Sequence, residues 1–237
     1  MKLPFQIDLS GKTALVTGGG GVLCSEFAKA LAACGAKTEE KVITVAASPT
    51  PHAEILKIVG EVLEAEGWTL KIVEYSDYVV PNNVVEDGEM DANYFQHVPY
   101  LDTFNAENGT HLVSVAMVHY EPFGIYTGTK SAIADLADGD KIAIPNDGSN
   151  RARGLLLLEQ EGIIGLKDGA GMEATVLDIE ENPLGLEIFE MEAAQIAGVR
   201  DSVALAVING NYALNAGLNA GTDAIAVEDA ESISATT

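Results

Sequence analysis

The sequence has few cysteines, few basic residues and no long apolar stretch. Cys24 and Cys34 lie in one predicted helix, where about 15 Å would separate them, too far for a disulfide. Thirteen Lys and Arg residues against 36 Asp and Glu residues give a formal net charge of -23, so we expect no nucleic-acid partner. The absence of about 18 consecutive apolar residues argues against a membrane-spanning helix.

The four histidines are too dispersed to predict a metal site. His52, His97, His111 and His119 show no i,i+4 pairing, and none lies near a pair of cysteines, so a zinc site is not expected. No cofactor is predicted either. With 237 residues, 47% of them hydrophobic, the chain is long enough for one large α/β domain or two smaller lobes.

The first 37 residues predict a Rossmann-like strand, glycine turn and helix. Thr13–Thr17 is a β-type run, Gly18 to Gly21 form the turn, and the helical pattern ends at Gly35. Glycines let a phosphate approach the backbone, and a helix N-terminus attracts negative charge. This order is therefore typical of a phosphate-binding segment.

One alternative for the function is an NAD(P)-dependent reductase. GKTALVTGGGG resembles the start of a short-chain dehydrogenase/reductase, and Tyr126, Lys130 and the upstream Ser114 match the catalytic spacing of that family. Against this alternative, Val22 stands at the third glycine position and Gly128 interrupts the segment between Tyr126 and Lys130. We therefore expect Tyr126 and Lys130 to be ordinary surface or hinge residues.

From Glu40 onwards, strand and helix patterns alternate. One helix is predicted with Thr50 as its N-cap and Pro51 as its first residue, and another over GSNRARGLLLLEQEGII with Ser149 as its N-cap. The alternation predicts a layered α/β fold that binds ligands at the carboxyl ends of its strands. The predicted strands include KVITVAAS, TLKIVEYS, LVSVAMVHYEP and DKIAIPND.

Seven segments between Glu40 and Asn219 carry a resemblance to a known family. The segments are KVITVAASPTPHAEIL, DYVVPN, GEMDANYFQHVPYL, VSVAMVHYEPFGIY, IAIPNDGSNRARGLLLL, LKDGAG and AVINGNYALNAGL. Together they resemble the methionine-binding lipoproteins of ABC importers (NlpA family). The resemblance implies a type II periplasmic-binding-protein-like fold, in which two α/β lobes close on one amino acid. It places lobe 1 at residues 38–120 and 209–237, and lobe 2 at residues 121–208.

A bound amino acid needs a cation for its carboxylate and acceptors for its ammonium group. Arg153 lies in the first turn of a predicted helix, where the positive helix end also favours a carboxylate. Asn150 is three residues earlier on the same face. By resemblance, Arg153 holds the ligand carboxylate and Asn150 assists. The alternative is a surface arginine paired with Glu159 or another acid.

Other predicted ligand residues surround the methionine side chain. Strand alternation puts Phe95 and His97 on one face, and Tyr100 follows within a turn. Phe95 is expected to contact the thioether, while His97 and Tyr100 supply polar contacts. By resemblance, Tyr78 is a further pocket residue and Asn211 binds ligand where the chain recrosses between lobes. Each of these residues is otherwise interpreted as core or turn.

The resemblance implies a monomeric, extracytoplasmic lipoprotein without enzymatic activity. Such a protein captures L- or D-methionine between its lobes and delivers it to an ABC permease and ATPase complex. LAAC matches a lipobox in which Cys34 would be lipidated. Because Asp8, Lys12, Glu26 and Lys29 interrupt the preceding apolar region, we expect poor export by this segment and a helix ending at Cys34.

Both ends of the chain depart from the resemblance. The reductase-like start joins the binding-protein sequence at LAACGAK, which suits both families. The chain ends in SISATT, where the family continues with a strand and helix that return to lobe 1, so we expect that return to be incomplete. A non-functional chimera is therefore a third possibility.

Overall fold

The structure, a computed structural model, describes Ala14–Leu15 and residues 41–229. The predicted glycine turn, Cys24 and Cys34 lie outside the described residues. The chain divides into two compact units. Of the described residues, those up to Gln96 together with Phe104–His119 belong to the first unit, and His97–Thr103 together with those from Tyr120 to Asp229 belong to the second.

A parallel three-stranded sheet forms the centre of the first unit. Its strands are β2, β3 and β4, in the spatial order β3-β2-β4. The helix α1 lies between β2 and β3 in the sequence. The short strands β1 and β5 form a separate parallel pair. The bounds are β1 Ala14–Leu15, β2 Val42–Ala47, α1 Glu54–Ala65, β3 Thr69–Glu74, α2 Val80–Glu86, β4 Ala92–Tyr94, α3 Val98–Asn108 and β5 Val113–Ser114.

The amphipathic helix α1 provides one side of the first core. Leu56, Val59 and Leu63 recur at spacings of three and four residues, so they share one face, and all three are fully buried. They pack in one cluster with Ile43 and Val45 of β2. Parallel neighbours such as β2 and β3 require a crossover connection, which α1 provides.

The start of α1 differs from the prediction. Thr50 has an extended backbone (φ -130, ψ 133) that kinks the chain within Pro49–Ala53, and α1 itself begins at Glu54. The Thr50 hydroxyl donates to the Glu54 carboxylate at 3.0 Å. Thr50 therefore contacts the first helical residue through its side chain without capping the helix.

The strand predicted over LVSVAMVHYEP is much shorter than expected. Among the described residues of this stretch, the strand is confined to Val113–Ser114, which pairs with the two-residue β1, and Tyr120 forms a single bridge. Met117 in the same stretch is 58% exposed. The alternating apolar pattern predicts a strand, but a strand also needs a hydrogen-bonding partner along its length.

A five-stranded mixed sheet forms the centre of the second unit, in the order β10-β7-β11-β6-β12. Strand β7 is parallel to β10 and β11, whereas β6 is antiparallel to β11 and β12. Strands β8 and β9 form a small separate ladder. The bounds are β6 Gly124–Thr127, β7 Lys141–Pro145, β8 Gly165–Leu166, β9 Ile179–Glu181, β10 Glu187–Met191, β11 Leu205–Ile208 and β12 Ala224–Val227.

The helices of this unit are α4 at Gly148–Gln160, α5 at Ala193–Val199 and α6 at Gly210–Asn215. Leu155 and Leu158 of α4 are fully buried in the second core. Among the helices that the structure describes, none is both long and apolar enough to cross a membrane.

The position of the last strand differs from the predicted lobes. We predicted residues 209–237 in lobe 1, but α6 and β12 belong to the second unit. The physical reason is the pairing of β12 with β6, in which Val227 lies opposite Gly124. The remaining lobe boundaries stay a prediction.

Candidate ligand-binding site

Several chain segments meet at one edge of the sheet in the second unit. The strand directions bring the carboxyl ends of β7, β11 and β12 beside the start of β6. In α/β folds, the carboxyl ends of parallel strands are the usual position of a ligand. The first residues beyond β11 and β12 are Asn209 and Glu228, while Asp147 follows β7 and Phe123 precedes β6.

Asp147 caps α4, whereas Ser149 was predicted to do so. The Asp147 carboxylate accepts from the backbone N–H of Asn150 at 3.1 Å and from its side-chain amide at 2.8 Å. Ser149 lies inside the first turn, so its hydroxyl is past the capping position. Burial raises the pKa of Asp147, and the bonds from Asn150 oppose that rise.

The Asn150 side-chain oxygen is the centre of a buried hydrogen-bond network. It accepts from His97 Nε2 at 3.1 Å, from Asn209 Nδ2 at 3.1 Å and from Arg153 Nη1 at 3.3 Å. All four side chains are at most 5% exposed. Because the Asn150 amide nitrogen donates to Asp147, both ends of the amide are fixed in orientation.

Arg153 is buried and paired with a carboxylate of the same chain. Its Nη2 lies 2.6 Å from Glu228 Oε2, and its Nε lies 3.2 Å from Glu228 Oε1. Nη2 also donates to the backbone oxygen of Glu121 at 3.3 Å. The guanidinium carbon lies 4.4 Å from the centre of the Phe123 ring, within cation–π distance. The acidic partner is Glu228, and the alternative of a surface arginine does not hold.

The imidazole ring of His97 is neutral, and its hydrogen bonds fix one tautomer. Its Nδ1 accepts from the backbone N–H of Tyr100 at 3.1 Å, so the proton is on Nε2, which donates to Asn150. Burial, together with the positive charge of Arg153, lowers the pKa of His97 to about 3. His97 is therefore a hydrogen-bond donor to Asn150 and carries no charge near neutral pH.

Two predicted aromatic residues are brought together in the first unit. The rings of Tyr78 and Phe95 stack with their centres 5.5 Å apart and their planes 28° from parallel. Tyr78 follows β3 and Phe95 follows β4, so both lie beyond carboxyl ends of parallel strands. Phe95 is 3% exposed. The pair is a stacked aromatic contact at that edge of the sheet.

An amide network anchors the chain beside Phe95. Asn93 Nδ2 donates to Asn82 Oδ1 and to the backbone oxygen of Pro81, both at 2.9 Å. Asn82 Nδ2 donates to Gln96 Oε1 at 3.2 Å. All three amides are buried, and together they tie the end of β4 to the start of α2. Sequence reasoning did not find this network.

The structure thus joins His97, Asn150 and Arg153 through hydrogen bonds, and Tyr100 joins them through its backbone. The ring centres of His97 and Tyr100 are 6.2 Å apart. Asn211 is 1% exposed in the first turn of α6. We predicted that the chain recrosses between lobes here, but within the described residues it continues into β12 of the same unit.

Three residues of the network were missed from the sequence. Asn209 lies two positions before the predicted Asn211 and immediately before α6. Asn is favoured at the position before a helix, so capping rules could have singled it out. Asp147 precedes Asn150 by three residues, which is the spacing of a capping interaction. Glu228 gave no signal, because 75 positions separate it from Arg153.

The residues of the reductase alternative do not have the environment that proton transfer needs. Tyr126 was predicted at the surface or a hinge, but it is fully buried in β6, and burial raises its pKa to about 12. Lys130 lies beyond the strand and pairs with Asp140 at 3.3 Å. Because Tyr126 lies in a strand, the two residues do not share one helical face. Ser114 is exposed in β5.

Comparisons with known proteins agree with this fold. The profile of the NlpA lipoprotein family matches residues 43–237. The methionine-binding lipoprotein MetQ of Bacillus subtilis is 42% identical over 216 residues, which are 88% of this chain and 79% of that protein.

Two solved structures are also similar. A lipoprotein from Ruminococcus gnavus has a TM-score of 0.81 at 59% identity, covering 82% of this chain and 80% of that one. A nutrient-binding protein from Burkholderia cenocepacia, solved with bound methionine, has a TM-score of 0.74 at 42% identity, with 82% of each chain covered.

The fold is therefore the mixed α/β fold of periplasmic substrate-binding proteins, as the sequence predicted. The chain belongs to the NlpA lipoprotein family. This family consists of substrate-binding transport proteins, and the relatives are membrane lipoproteins.

Proposed function

We propose that this chain binds methionine and delivers it to an ABC importer. The names of its relatives support methionine as the ligand, since one is a methionine-binding lipoprotein and another was solved with methionine bound. The seven family-like segments in the sequence support the role in an ABC importer. Both L- and D-methionine are candidate ligands.

The observation that carries this proposal is a pair of complementary polar groups beside Asn150. The Arg153 guanidinium has five N–H groups, and four of them bond within the described residues, which leaves one on Nη1. Asn209 Oδ1 is buried and accepts no hydrogen bond from the part of the chain that the structure describes. The first group suits a carboxylate and the second an ammonium group.

These two groups match the main-chain end of a free amino acid. Arg153 Nη1 and Asn209 Nδ2 both donate to Asn150 Oδ1, so the remaining N–H and the acceptor belong to two side chains that bind the same oxygen. We assign the ligand carboxylate to Arg153 and the ammonium group to Asn209, with Asn150 orienting both. His97 in turn fixes Asn150 through its hydrogen bond.

The methionine side chain needs an apolar surface that suits sulfur. Tyr78 and Phe95 remain the proposed residues for this contact on the basis of the family resemblance, because a thioether packs favourably on aromatic rings. Tyr100 and Asn211 remain proposed ligand residues on the basis of the family resemblance. We propose no covalent chemistry for the protein.

We further propose that the protein acts outside the cytoplasm as a monomer that an ABC permease and ATPase complex recognises. The lipoprotein relatives support an anchored form of the protein, for which Cys34 is the candidate lipidation site. Mass analysis of the purified protein from membranes tests this, because a lipid-modified peptide must contain Cys34.

Calorimetric titration of the purified chain with L- and D-methionine tests the ligand assignment. We expect heat from at least one enantiomer, and a loss of at least about 100-fold in affinity for Arg153→Ala. Arg151→Ala is the matched control, because Arg151 is on the same helix and pairs with Glu190 near the surface. Arg153→Lys keeps the charge but loses the forked geometry, and it should also bind weakly.

The result that contradicts the proposal is no methionine heat from a folded wild-type chain. Equal losses for Arg151→Ala and Arg153→Ala would contradict the carboxylate assignment. NADPH is the control for the reductase alternative, and NADPH binding without methionine binding would favour that alternative.

A further inference from the structure

The ion pair between Arg153 and Glu228 lies inside the proposed methionine site. It is bidentate, with Nη2 to Oε2 at 2.6 Å and Nε to Oε1 at 3.2 Å. The two side chains are 3% and 9% exposed. A forked pair of this kind fixes the plane of the guanidinium as well as its position.

The protein backbone holds the Glu228 carboxylate independently of Arg153. Glu228 Oε2 accepts from the backbone N–H of Phe123 at 3.3 Å, and the Glu228 backbone N–H donates to the Phe123 oxygen at 2.9 Å. The hydroxyl of Tyr120 donates to the backbone oxygen of Glu228 at 3.2 Å. Glu228 is therefore a fixed anion against which the guanidinium is oriented.

The charges of the site also depend on Glu228. Arg153 is the cation, His97 is a neutral donor, and both Glu228 and Asp147 are acidic groups within the same network. With Glu228 present, the positive charge of Arg153 is already balanced. A ligand that brings only a negative charge gains little from this site, whereas a zwitterion brings its own positive charge.

We propose that Glu228 is a specificity-determining and positioning residue for ligand binding. By holding Nε and Nη2, it presents the Nη1 edge of Arg153 to the ligand carboxylate. By balancing the charge, it selects zwitterionic amino acids over anions of the same shape. This inference rests on the proposed function, and it concerns a residue that acts through Arg153.

Glu228→Gln tests the inference, because glutamine keeps the shape and removes the charge. The affinity of each variant is measured by calorimetry for methionine and for its deaminated analogue, which keeps the carboxylate and thioether but lacks the ammonium group. We expect the preference for methionine over the analogue to fall by at least about tenfold in Glu228→Gln. If Glu228 had only a structural role, its substitution would lower the affinity for both ligands equally and leave the ratio of the two affinities unchanged.

Two variants serve as controls. Glu228→Asp keeps the charge and should keep the ratio within about threefold of wild type, even if both affinities fall. Glu190→Gln makes the same chemical change in the pair with Arg151 and should leave the ratio unchanged. An unchanged ratio in folded Glu228→Gln overturns the inference.

The wild-type chain gives a second test that does not depend on a variant folding. If it binds the deaminated analogue within about threefold of methionine, the site does not select zwitterions and the inference is wrong. If it binds neither ligand, the proposed function itself fails. The two failures are therefore distinguishable.

Discussion

The side-chain amide of Asn209 donates to Asn150 Oδ1 at 3.1 Å, and this bond orients Asn209 Oδ1 as a buried acceptor. The same Asn150 oxygen also accepts a hydrogen bond from Arg153 Nη1. A donor for a carboxylate and an acceptor for an ammonium group are thus fixed by one side chain. An unpaired buried acceptor is costly, and a ligand ammonium group would satisfy it.

Replacement of this acceptor is expected to weaken methionine binding selectively. Asn209→Ala should lower the affinity for methionine about 10- to 100-fold, because the ammonium group loses its partner. The deaminated analogue lacks that group, so its affinity should change much less. Asn215→Ala, at the exposed end of α6, is the control. Equal losses for both ligands would contradict the assignment of the ammonium group to Asn209.

The buried neutral His97 is expected to make stability depend on pH. Its pKa is about 3 in the folded protein, below the ordinary value of 6.5, so below that value the unfolded chain binds a proton that the folded chain excludes. The contribution is complete above about pH 6.5 and is lost as the pH falls towards 3. Between pH 7 and 5, the free energy of unfolding should fall by about 2 kcal/mol because of this residue.

Chemical denaturation at pH 7 and pH 5 measures this effect. His97→Gln cannot titrate and should show a smaller fall in stability over the same interval. His111→Gln is the control, because His111 is exposed and pairs with Glu86. A fall for His97→Gln equal to that of wild type would show that His97 is not held neutral.

The cap of α4 gives a prediction in which two residues near the start of the helix behave differently. Asp147→Ala should destabilise the protein by about 1 kcal/mol, because it removes the acceptor for the backbone N–H of Asn150. It should also weaken methionine binding, because the Asn150 amide loses its fixed orientation. Ser149 Oγ is buried and has no partner in the described part of the chain, so Ser149→Ala should change stability by less than about 0.5 kcal/mol.

Thermal unfolding and methionine titration of these two variants provide the measurement. If Ser149→Ala were the more destabilising change, the capping assignment would have to be reversed.

Gly128 is expected to be irreplaceable for steric reasons. A Cβ atom at this position would lie 2.2 Å from the backbone oxygen of Val203 and 2.5 Å from that of Arg200. Gly128→Ala should therefore cost more than about 2 kcal/mol. Gly198 in α5 has no atom within 4 Å of such a Cβ, so Gly198→Ala should leave stability unchanged or raise it. Similar melting temperatures for the two variants would contradict this account.

The sequence predicted a strand correctly where its apolar pattern coincides with a neighbouring strand that pairs along its length. VITVAA and KIAIP became the buried strands β2 and β7, and the helix after Asp147 presents the predicted Asn150 and Arg153. LVSVAMVHYEP has the same alternation but is a strand only at Val113–Ser114, because pairing depends on a distant segment.

The candidate site could be predicted only where its contacts are local. Asn150 and Arg153 are three residues apart on one helix, so their proximity follows from helical geometry. Glu228 reaches Arg153 through the pairing of β12 with β6, which local patterns do not determine. Asn209 and Asn211 lie two positions apart, and the sequence alone does not reveal that the Asn209 amide contacts Asn150.

A crystal structure of the chain with bound methionine tests the central claim most directly. The account predicts a ligand carboxylate oxygen about 2.7–3.1 Å from Arg153 Nη1, and the ammonium nitrogen at a similar distance from Asn209 Oδ1. The Glu228 ion pair should remain in place. A methionine carboxylate more than about 4 Å from Arg153, or bound only after Glu228 has left the guanidinium, would contradict the account.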